Sequence, residues 1–393
     1  MSADPATQVR NGLVHVEGKA RLRVSYGSGT PEAFYNPRMD LNRDLAILFA
    51  KSYFTPSRSI RVCDPMSASG VRAVRYMLEL PHVSNVVASD KDPTAVNITR
   101  ATLRLNGLEE KIQVVESDAN LLLLSHKDDR FDLVDLDPFG SPAPFFESAL
   151  RAALDGGVVA ATATDMGPLT GARASACLRK YGVTPIRSEF EKELAARALA
   201  GCLAGIAGRL GLGVNIVFTH VSDHYARIYA AVAKGKTQAN LSTKSLGFVE
   251  YCRDCLRRDS RESLHFIRTM CEDCGCRKTI GGPFWLGKLW DPNVVGRMIE
   301  HCPGLVSSRL SEIQKMLSYI EEECEAPSFY YRTDALSAKL AVKPPRVKTT
   351  LEVLRASGYI ATKTHFDPSG FRTNAPNRDV ASTLRSLANK THT

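Results

Sequence analysis

Residues 131–146, FDLVDLDPFGSPAPFF, constrain this chain more than any other stretch. Phe131, Leu133, Val134 and Leu136 make a short apolar run of the kind buried in a parallel strand, and Asp135 and Asp137 stand at its carboxyl end. Pro138, Phe139, Gly140, Ser141 and Pro142 then stop the strand abruptly. In an open α/β sheet, ligands bind just beyond the strand carboxyl ends, where this acid, turn and aromatic fall. The residue types suit methyl transfer to an exocyclic amine of a nucleobase. Such an amine is a weak nucleophile, because its lone pair is delocalised into the ring, and it gains positive charge as it attacks. Asp137 can accept a hydrogen bond from it and stabilise that charge. Pro138 has a carbonyl and no N–H, so Asp-Pro presents two acceptors to one amino group, and Phe139 stacks on the base. The same residues also suit an ordinary strand-ending turn, with Phe139 in the core and Asp137 as a cap.

From Ile60 onward strand and helix alternate, which predicts an α/β domain. RSIRVCDP reads as a strand, MSASG as a small-residue loop and VRAVRYMLEL as a helix, placing backbone N–H groups and a helix N-terminus against a ligand. Only Gly70 is present, so the dinucleotide pattern G-x-G-x-x-G is missing. The strand VSNVVASD ends in Asp90, 20 residues beyond Gly70, where an acid binds ribose hydroxyls in dinucleotide folds. A helix over 93–106, a strand ending in Asp118-Ala119, the central strand, a helix near 145–154 and the strand GGVVAATATD follow. Asp90, Asp118 and Asp137 thus end successive strands, although each alone also suits a helix cap. Residues 168–212 read as helical, and VNIVFTHV and HYARIYAAV as a hairpin turning at Ser222-Asp223. Ahead of the domain, Leu22, Val24 and Tyr26 alternate, and a helix is expected from Asp40 to Lys51. Arg38 lies in the turn before that helix, a place that also suits a solvated surface arginine.

At 393 residues the chain has room for two or three domains, and residues 234–246 (KGKTQANLSTKSL) have the composition of a linker. Beyond them, YCRDC and CEDCGCRK are separated by 15 residues. This C-x2-C…C-x2-C spacing is that of a zinc ribbon with Cys252, Cys255, Cys271 and Cys274 as ligands and Cys276 as the spare. A closed set of four thiolates holds a fold together and leaves no open position for catalysis. Both tryptophans, Trp285 and Trp290, lie in GGPFWLGKLWD, which is expected to dock the ribbon. DALSAKL, PPRVKTTLEVLRASG and YIATKTHFDPSGFRTNAP read as helix, helix and β-ribbon, a winged-helix-like unit. Its ribbon carries Lys363, His365, Phe366, Phe371 and Arg372, basic and aromatic residues that suit phosphate contact and base stacking, or else a solvated wing. The net charge is +9, and the residues from Tyr331 onward supply +7 of it, with 11 Lys and Arg against 4 Asp and Glu. That balance favours a polyanionic partner. No apolar run approaches the roughly 20 residues of a membrane span, and MSADPATQVRNG has no signal-peptide core, so a cytoplasmic protein is expected.

In order along the chain, EGKA, FYNPRMDLNRD, SASGVRAVR, DLDPFGSPAPFF, TATD, SDHY, GGPFWLG and THFDPSGFRTNAP resemble the tRNA guanosine-26 N2-dimethyltransferase family, its archaeal branch in particular. The resemblance implies a class I (Rossmann-like) methyltransferase domain over residues 1–235. It further implies a smaller α+β tRNA-binding domain over 236–393, with the zinc ribbon near 250–280 and the winged-helix-like unit near 330–376. It implies S-adenosylmethionine as methyl donor, tRNA as partner, no obligatory protein partner, and the N2 amine of guanosine 26 as acceptor. By the family pattern Arg38, Arg72, Asp90, Asp118 and Ala119 contact the cofactor, while Asp137, Pro138 and Phe139 form the catalytic turn; Arg38 and Arg72 rest on the resemblance alone. Met166 and Arg173 depart from the pattern, as does the lack of a Cys-His pair after EFEKELAARALAG. Two alternatives stay open: a related enzyme acting on another amine, and a non-catalytic RNA-binding protein on a methyltransferase scaffold. Asn-Pro-Pro-Tyr or Asp-Pro-Pro-Tyr would favour the first, and loss of the acidic strand ends the second.

Overall fold

The apolar run at 131–136 is a strand buried along its whole length, and it lies inside a seven-stranded sheet. The computed structural model describes residues 13–24, 35–222 and 224–390, so Tyr26 of the alternating run and Asp223 of the expected hairpin turn lie outside the described residues. By internal contacts the chain divides into two compact units. The first runs to Leu136 and takes in Ser148–Val159 and Glu300–Ile313; the second comprises Asp137–Glu147, Ala160–Ile299 and the chain from Gln314 on.

The first unit begins with an antiparallel hairpin, β1 (Leu13–Glu17) and β2 (Ala20–Val24), and the helix α1 (Asp40–Tyr53). Then β3 (Ile60–Asp64), α2 (Val71–Glu79), β4 (Val83–Asp90), α3 (Pro93–Asn106), β5 (Ile112–Glu116), α4 (Ala119–Ser125) and β6 (Phe131–Leu136) alternate as expected. Local chemistry sets the boundaries. Asp92 caps α3 by accepting from the Thr94 N–H at 2.8 Å, Pro93 opens it, and Gly107 closes it at φ 65°. β3, β4, β5 and β6 run parallel, and the last sheet strands are β7 (Ala153–Ala163), preceded by the helix α5 (Phe146–Ala152), and the antiparallel pair β8 (Leu212–Val221) and β9 (Ala226–Lys234). The order is β5-β4-β3-β6-β7-β9-β8. It reverses between β3 and β6, the switch point where such sheets open a crevice.

A buried charge cluster pins the amino-terminal hairpin. Glu17 accepts from Arg43 Nε at 2.6 Å, from Arg75 Nη1 at 2.9 Å and from the Tyr35 hydroxyl at 2.7 Å, while Arg75 also pairs with Asp44 at 2.7 Å and Glu79 at 2.7 Å. Burial alone would raise the Glu17 carboxyl, but the bonds and charges of Arg43 and Arg75 outweigh it and hold it at about 2.

In the second unit, α6 (Met166–Leu169) and α7 (Ala174–Tyr181) precede the long helix α8 (Glu191–Arg209). The region read as continuously helical is therefore broken, because Gly182 at φ 68° ends α7 and Thr184 bridges to Gly282. Twelve of the 19 residues of α8 are buried, and at Gly201 a Cβ would lie 3.0 Å from the Pro283 carbonyl, so glycine there lets β12 (Thr279–Trp285) pack against the helix without displacement. The stretch read as a linker is corrected: Lys236–Lys244 is a helix, α9, with Ala239 and Ser242 buried. It lies against β8, where Gly213 leaves room for the Gln238 carbonyl, 2.5 Å from where a Cβ would be. Packing on bare backbone needs no large apolar face, which is why composition alone suggested a linker. A sheet of β11 (Arg258–Arg261), β10 (Leu246–Tyr251) and β12 forms the ribbon. After the helices α10 (Pro292–His301) and α11 (Leu310–Glu323) comes the expected winged-helix-like set: β13 (Tyr331–Arg332), α12 (Thr333–Leu340), α13 (Val347–Ala356), β14 (Ala361–Lys363), β15 (Gly370–Thr373) and α14 (Asn377–Lys390). No helix among the described residues is long and apolar enough to cross a membrane.

Glu17 and Glu323 carboxyls are both held at about 2, against an ordinary glutamate value near 4.5. Lowered carboxyls contribute stability that is present above about pH 4.5 and lost as pH falls towards 2. Thermal unfolding followed from pH 6 to pH 2 should show Tm falling steeply below about 4.5, and Glu17→Gln should flatten part of that fall.

Candidate active site and zinc ribbon

The elements that form the expected cofactor side belong to the first unit. β3 ends in Asp64, whose side chain is 1% exposed, and the chain then turns through Pro65 to Gly70 into α2. The Asp90 carboxylate accepts from the Ala68 N–H and the Asp92 N–H, both at 3.0 Å, and so ties the end of β4 to the loop. Ser67 N–H donates to the Ser89 carbonyl at 2.7 Å, and Thr99 donates to the Ala68 carbonyl at 3.1 Å. Gly70 starts α2 at φ 75°, and a Cβ there would meet Thr99 Cγ2 at 3.0 Å, so the loop conformation requires glycine. Asp118 caps α4, its Oδ1 accepting from the N–H groups of Asn120 at 2.9 Å and Leu121 at 3.3 Å, and Ala119 is the buried first residue of that helix.

Arg38 and Arg72 differ. Arg38 is exposed in the 3-10 turn Pro37–Met39. Arg72 is buried, with Nη1 3.2 Å from Asp135 Oδ2 and Nη2 donating to Asn42 Oδ1 at 2.6 Å, while Tyr76 donates to the same Asp135 oxygen at 2.6 Å. Its guanidinium thus positions the end of β6 from beneath. Asp64, which the sequence reading does not single out, carries the same signal as Asp90, an acid closing an apolar strand; Asp135, already placed at the end of β6, is the acid that Arg72 and Tyr76 hold.

The turn expected to be catalytic belongs to the second unit. Asp137 is half-buried, Pro138 is buried and Phe139 is 78% exposed. The alternative with Phe139 in the core is thereby ruled out. Gly140, at φ 86°, donates its N–H to Thr164 Oγ1 at 2.7 Å, and its carbonyl accepts from the Thr164 N–H at 2.9 Å. This reciprocal pair fixes the turn to the end of β7. Asp165, one residue on, accepts from Lys180 Nζ at 2.8 Å and from the Tyr181 hydroxyl. Burial and the Asp165 carboxylate together push the Tyr181 phenol up, keeping it a neutral donor.

In the ribbon, one sulfur from each of Cys252, Cys255, Cys271 and Cys274 lies within 4.8 Å of all the others, with Cys252–Cys274 and Cys255–Cys271 at 3.5 Å. Zn–S bonds of about 2.3 Å in a tetrahedron require sulfurs spaced by roughly 3.8 Å, so the set fits zinc. Cys276 is outside the four, its thiol facing the Cys274 carbonyl at 3.8 Å.

The expectation that the wing side chains face RNA is corrected by their burial. Phe366 and Phe371 are 2% and 0% exposed, and the side chains of Arg372 and His365 are 1% exposed. Arg372 Nε pairs with Glu323 Oε1 at 2.7 Å and Nη2 with Glu193 Oε2 at 3.0 Å; His365 Nδ1 lies 2.6 Å from Glu323 Oε2. Lys363 is half-buried, with Nζ 5.2 Å from the centre of the Tyr319 ring. Of the residues that read as a nucleic-acid surface, His365, Phe366, Phe371 and Arg372 are the internal counter-ions and core of this unit.

A seven-stranded sheet of this order, with acids at the carboxyl ends of successive strands, defines a class I, Rossmann-like methyltransferase. The chain belongs to the N2,N2-dimethylguanosine tRNA methyltransferase family, whose model matches residues 14–385. It is 32% identical to the tRNA (guanine(26)-N(2))-dimethyltransferase of Methanosphaera stadtmanae over 373 residues, 94% of each chain. It is 33% identical to the tRNA (guanine(26)-N(2)/guanine(27)-N(2))-dimethyltransferase of Aquifex aeolicus over 364 residues, 90% of each. Among solved structures, Trm1 from Pyrococcus horikoshii in complex with S-adenosyl-L-methionine superposes with a TM-score of 0.85 at 31% identity, covering 94% of this chain and 99% of that one.

The four-thiolate geometry makes a direct prediction. The purified protein should carry one zinc per chain by metal analysis, and Cys271→Ser should lower that content and raise amide exchange within the ribbon. A variant with full zinc content would remove Cys271 from the ligand set.

Proposed function

We propose that this protein transfers methyl groups from S-adenosylmethionine to the N2 amine of guanosine 26 in tRNA, giving N2-methyl- and N2,N2-dimethylguanosine. The observation that carries the reading is the family match over residues 14–385 combined with an exposed Phe139 directly after Asp137-Pro138. We assign the chemistry to residues 1–235 and the holding of RNA to 236–393.

The residues suit the cofactor. A carboxylate at the end of β4, a small-residue loop and the N-terminus of α2 match ribose hydroxyls and the carboxylate of an amino acid. Asp90 is assigned to the ribose, Asp118 and Ala119 to the adenine, and Arg38 to the cofactor from its exposed turn. Arg72 is assigned a supporting place through Asp135. When bound, S-adenosylmethionine supplies an electrophilic methyl group. The guanine amine is buried in an RNA helix, so the base must be flipped out to react. Phe139 stacks on the extruded ring, an interaction worth roughly 1–3 kcal/mol per base. The Asp137 carboxylate and Pro138 carbonyl accept the two amine protons and orient the nitrogen lone pair. As the N–CH3 bond forms, the S–CH3 bond of the sulfonium breaks and its electron pair returns to sulfur, leaving the neutral thioether; Asp137 stabilises the positive charge on nitrogen and accepts the proton it loses.

Two measurements test this reading. With labelled cofactor, an unmodified tRNA transcript should yield N2-methylated guanosine, and the same transcript with adenosine at position 26 should yield none; label at 27 would extend the site as in the Aquifex relative's name. Asp137→Ala should bind cofactor normally while kcat falls by about 10²–10³, the usual cost of removing one group that stabilises developing charge. Near wild-type turnover in that variant would overturn the assignment of Asp137.

A further inference from the structure

With the wing residues buried, the RNA-holding surface of the carboxy-terminal half has to lie elsewhere. A cavity of about 690 Å³ opens between the ribbon and the start of α14. Arg257, Arg258, Arg261 and Arg378 line it against two acids, Asp259 and Asp273. Its walls are built rather than loose. Arg258 stacks 3.9 Å from the centre of the Tyr331 ring and 4.5 Å from that of Phe190, and it pairs with Glu189. Arg257 is aimed by Asp259 at 3.0 Å, Glu272 at 2.7 Å and Asp273 at 2.6 Å. Glu272 also pairs with Arg268, whose side chain is 65% exposed, so a chain of arginine–carboxylate pairs continues from the cavity onto the ribbon loop. On the opposite rim, Arg378 is 84% exposed in the first turn of α14 and pairs with Asp379 at 3.5 Å. Asn377 Nδ2 donates to the Cys255 carbonyl at 3.1 Å, so this rim is fastened to the zinc knuckle itself.

We propose that this cleft holds the phosphodiester backbone of the tRNA substrate, with Arg268 and Arg378 as its outermost phosphate ligands and the zinc ribbon as its rigid wall. The inference rests on tRNA being the substrate and adds where the RNA is gripped. Guanidinium forks match phosphate oxygens, and partly exposed arginines held by carboxylates are pre-oriented for them. The ribbon then serves binding of RNA, which explains why a closed four-thiolate site belongs in a methyltransferase.

The test measures tRNA affinity over a range of salt for the intact protein, for Arg268→Ala/Arg378→Ala, and for Lys348→Ala. Lys348 is 83% exposed on α13 and does not line the cleft, so it serves as a basic control. The double variant should weaken binding about tenfold or more at low salt and reduce the slope of log affinity against log salt by about 2, one for each phosphate no longer neutralised. Zinc content, Tm and S-adenosylmethionine affinity should match the wild type, and Lys348→Ala should bind normally. Wild-type affinity and slope in the double variant, or an equal loss in Lys348→Ala, would overturn the proposal. Failure of the unaltered protein to bind or methylate tRNA would instead count against the proposed function.

Discussion

The carboxy-terminal half depends on a carboxylate that has left water. Glu193 is fully buried on α8 and accepts from Arg197 Nε at 2.9 Å, from the Phe329 N–H at 3.0 Å and from Arg372 Nη2 at 3.0 Å. Burial alone would raise its carboxyl, yet the charges of Arg372 and Arg197 and the backbone bond from Phe329 hold it below the ordinary value. Taking one ion into the interior costs several kcal/mol, recovered only when its lone pairs are filled. Here they are, and the partners come from far apart in sequence: α8, the 327–330 strand entry and the wing. Glu323 repeats the arrangement from α11, with Arg372 shared between the two acids. The ion cluster therefore sets how the wing packs, and it leaves Arg372 no freedom to reach an external phosphate.

That constraint also separates what was legible in the sequence from what was not. The strands of the sheet were legible because burial on both faces demands near-continuous apolar runs, and their ends because acids and turn residues follow at once; β4 and α3 begin and stop where Asp90, Pro93 and Asn106 placed them. The zinc set was legible because tetrahedral ligation fixes a short spacing. Two failures share one cause. Arg372, His365, Phe366 and Phe371 have the composition of a nucleic-acid surface, and α9 has that of a linker, but composition does not report which side of an element is covered. Long-range partners decide that: Glu193 and Glu323 for the wing, and the bare backbone at Gly213 for α9. Asp118 shows a milder form, since the same side chain is a strand-end acid and a helix cap at once.

The turn after β6 combines a fixed backbone with an exposed ring. Gly140 and Thr164 exchange two hydrogen bonds, so the direction in which Asp137 and Pro138 leave the strand is set before any ligand arrives. Phe139 leaves 78% of its surface in water, which disfavours the free protein by the hydrophobic cost of that ring. In the proposed mechanism a base stacked on Phe139 removes that cost. In the proposed mechanism the pinned backbone keeps the Asp137 carboxylate and Pro138 carbonyl in place for the amine, whose orientation tolerates little displacement of its acceptors.

The arginines fall into two groups by exposure, and the contrast bears on where RNA is proposed to be held. Arg75, Arg197 and Arg372 are 0–3% exposed and meet one or more carboxylates each, which makes them part of the fold. Arg257 and Arg261 are also paired with acids but keep 22% and 28% of their side chains in water, and Arg268 and Arg378 keep 65% and 84%. A fully buried pair is locked because either partner alone would be an uncompensated charge in the interior. A partly exposed pair is worth little to stability, so its guanidinium can exchange a carboxylate oxygen for a phosphate oxygen at small cost. Net charge says only that a polyanion is favoured. The difference in exposure says which arginines can exchange a carboxylate for a phosphate: Arg268 and Arg378, at 65% and 84%, rather than Arg372.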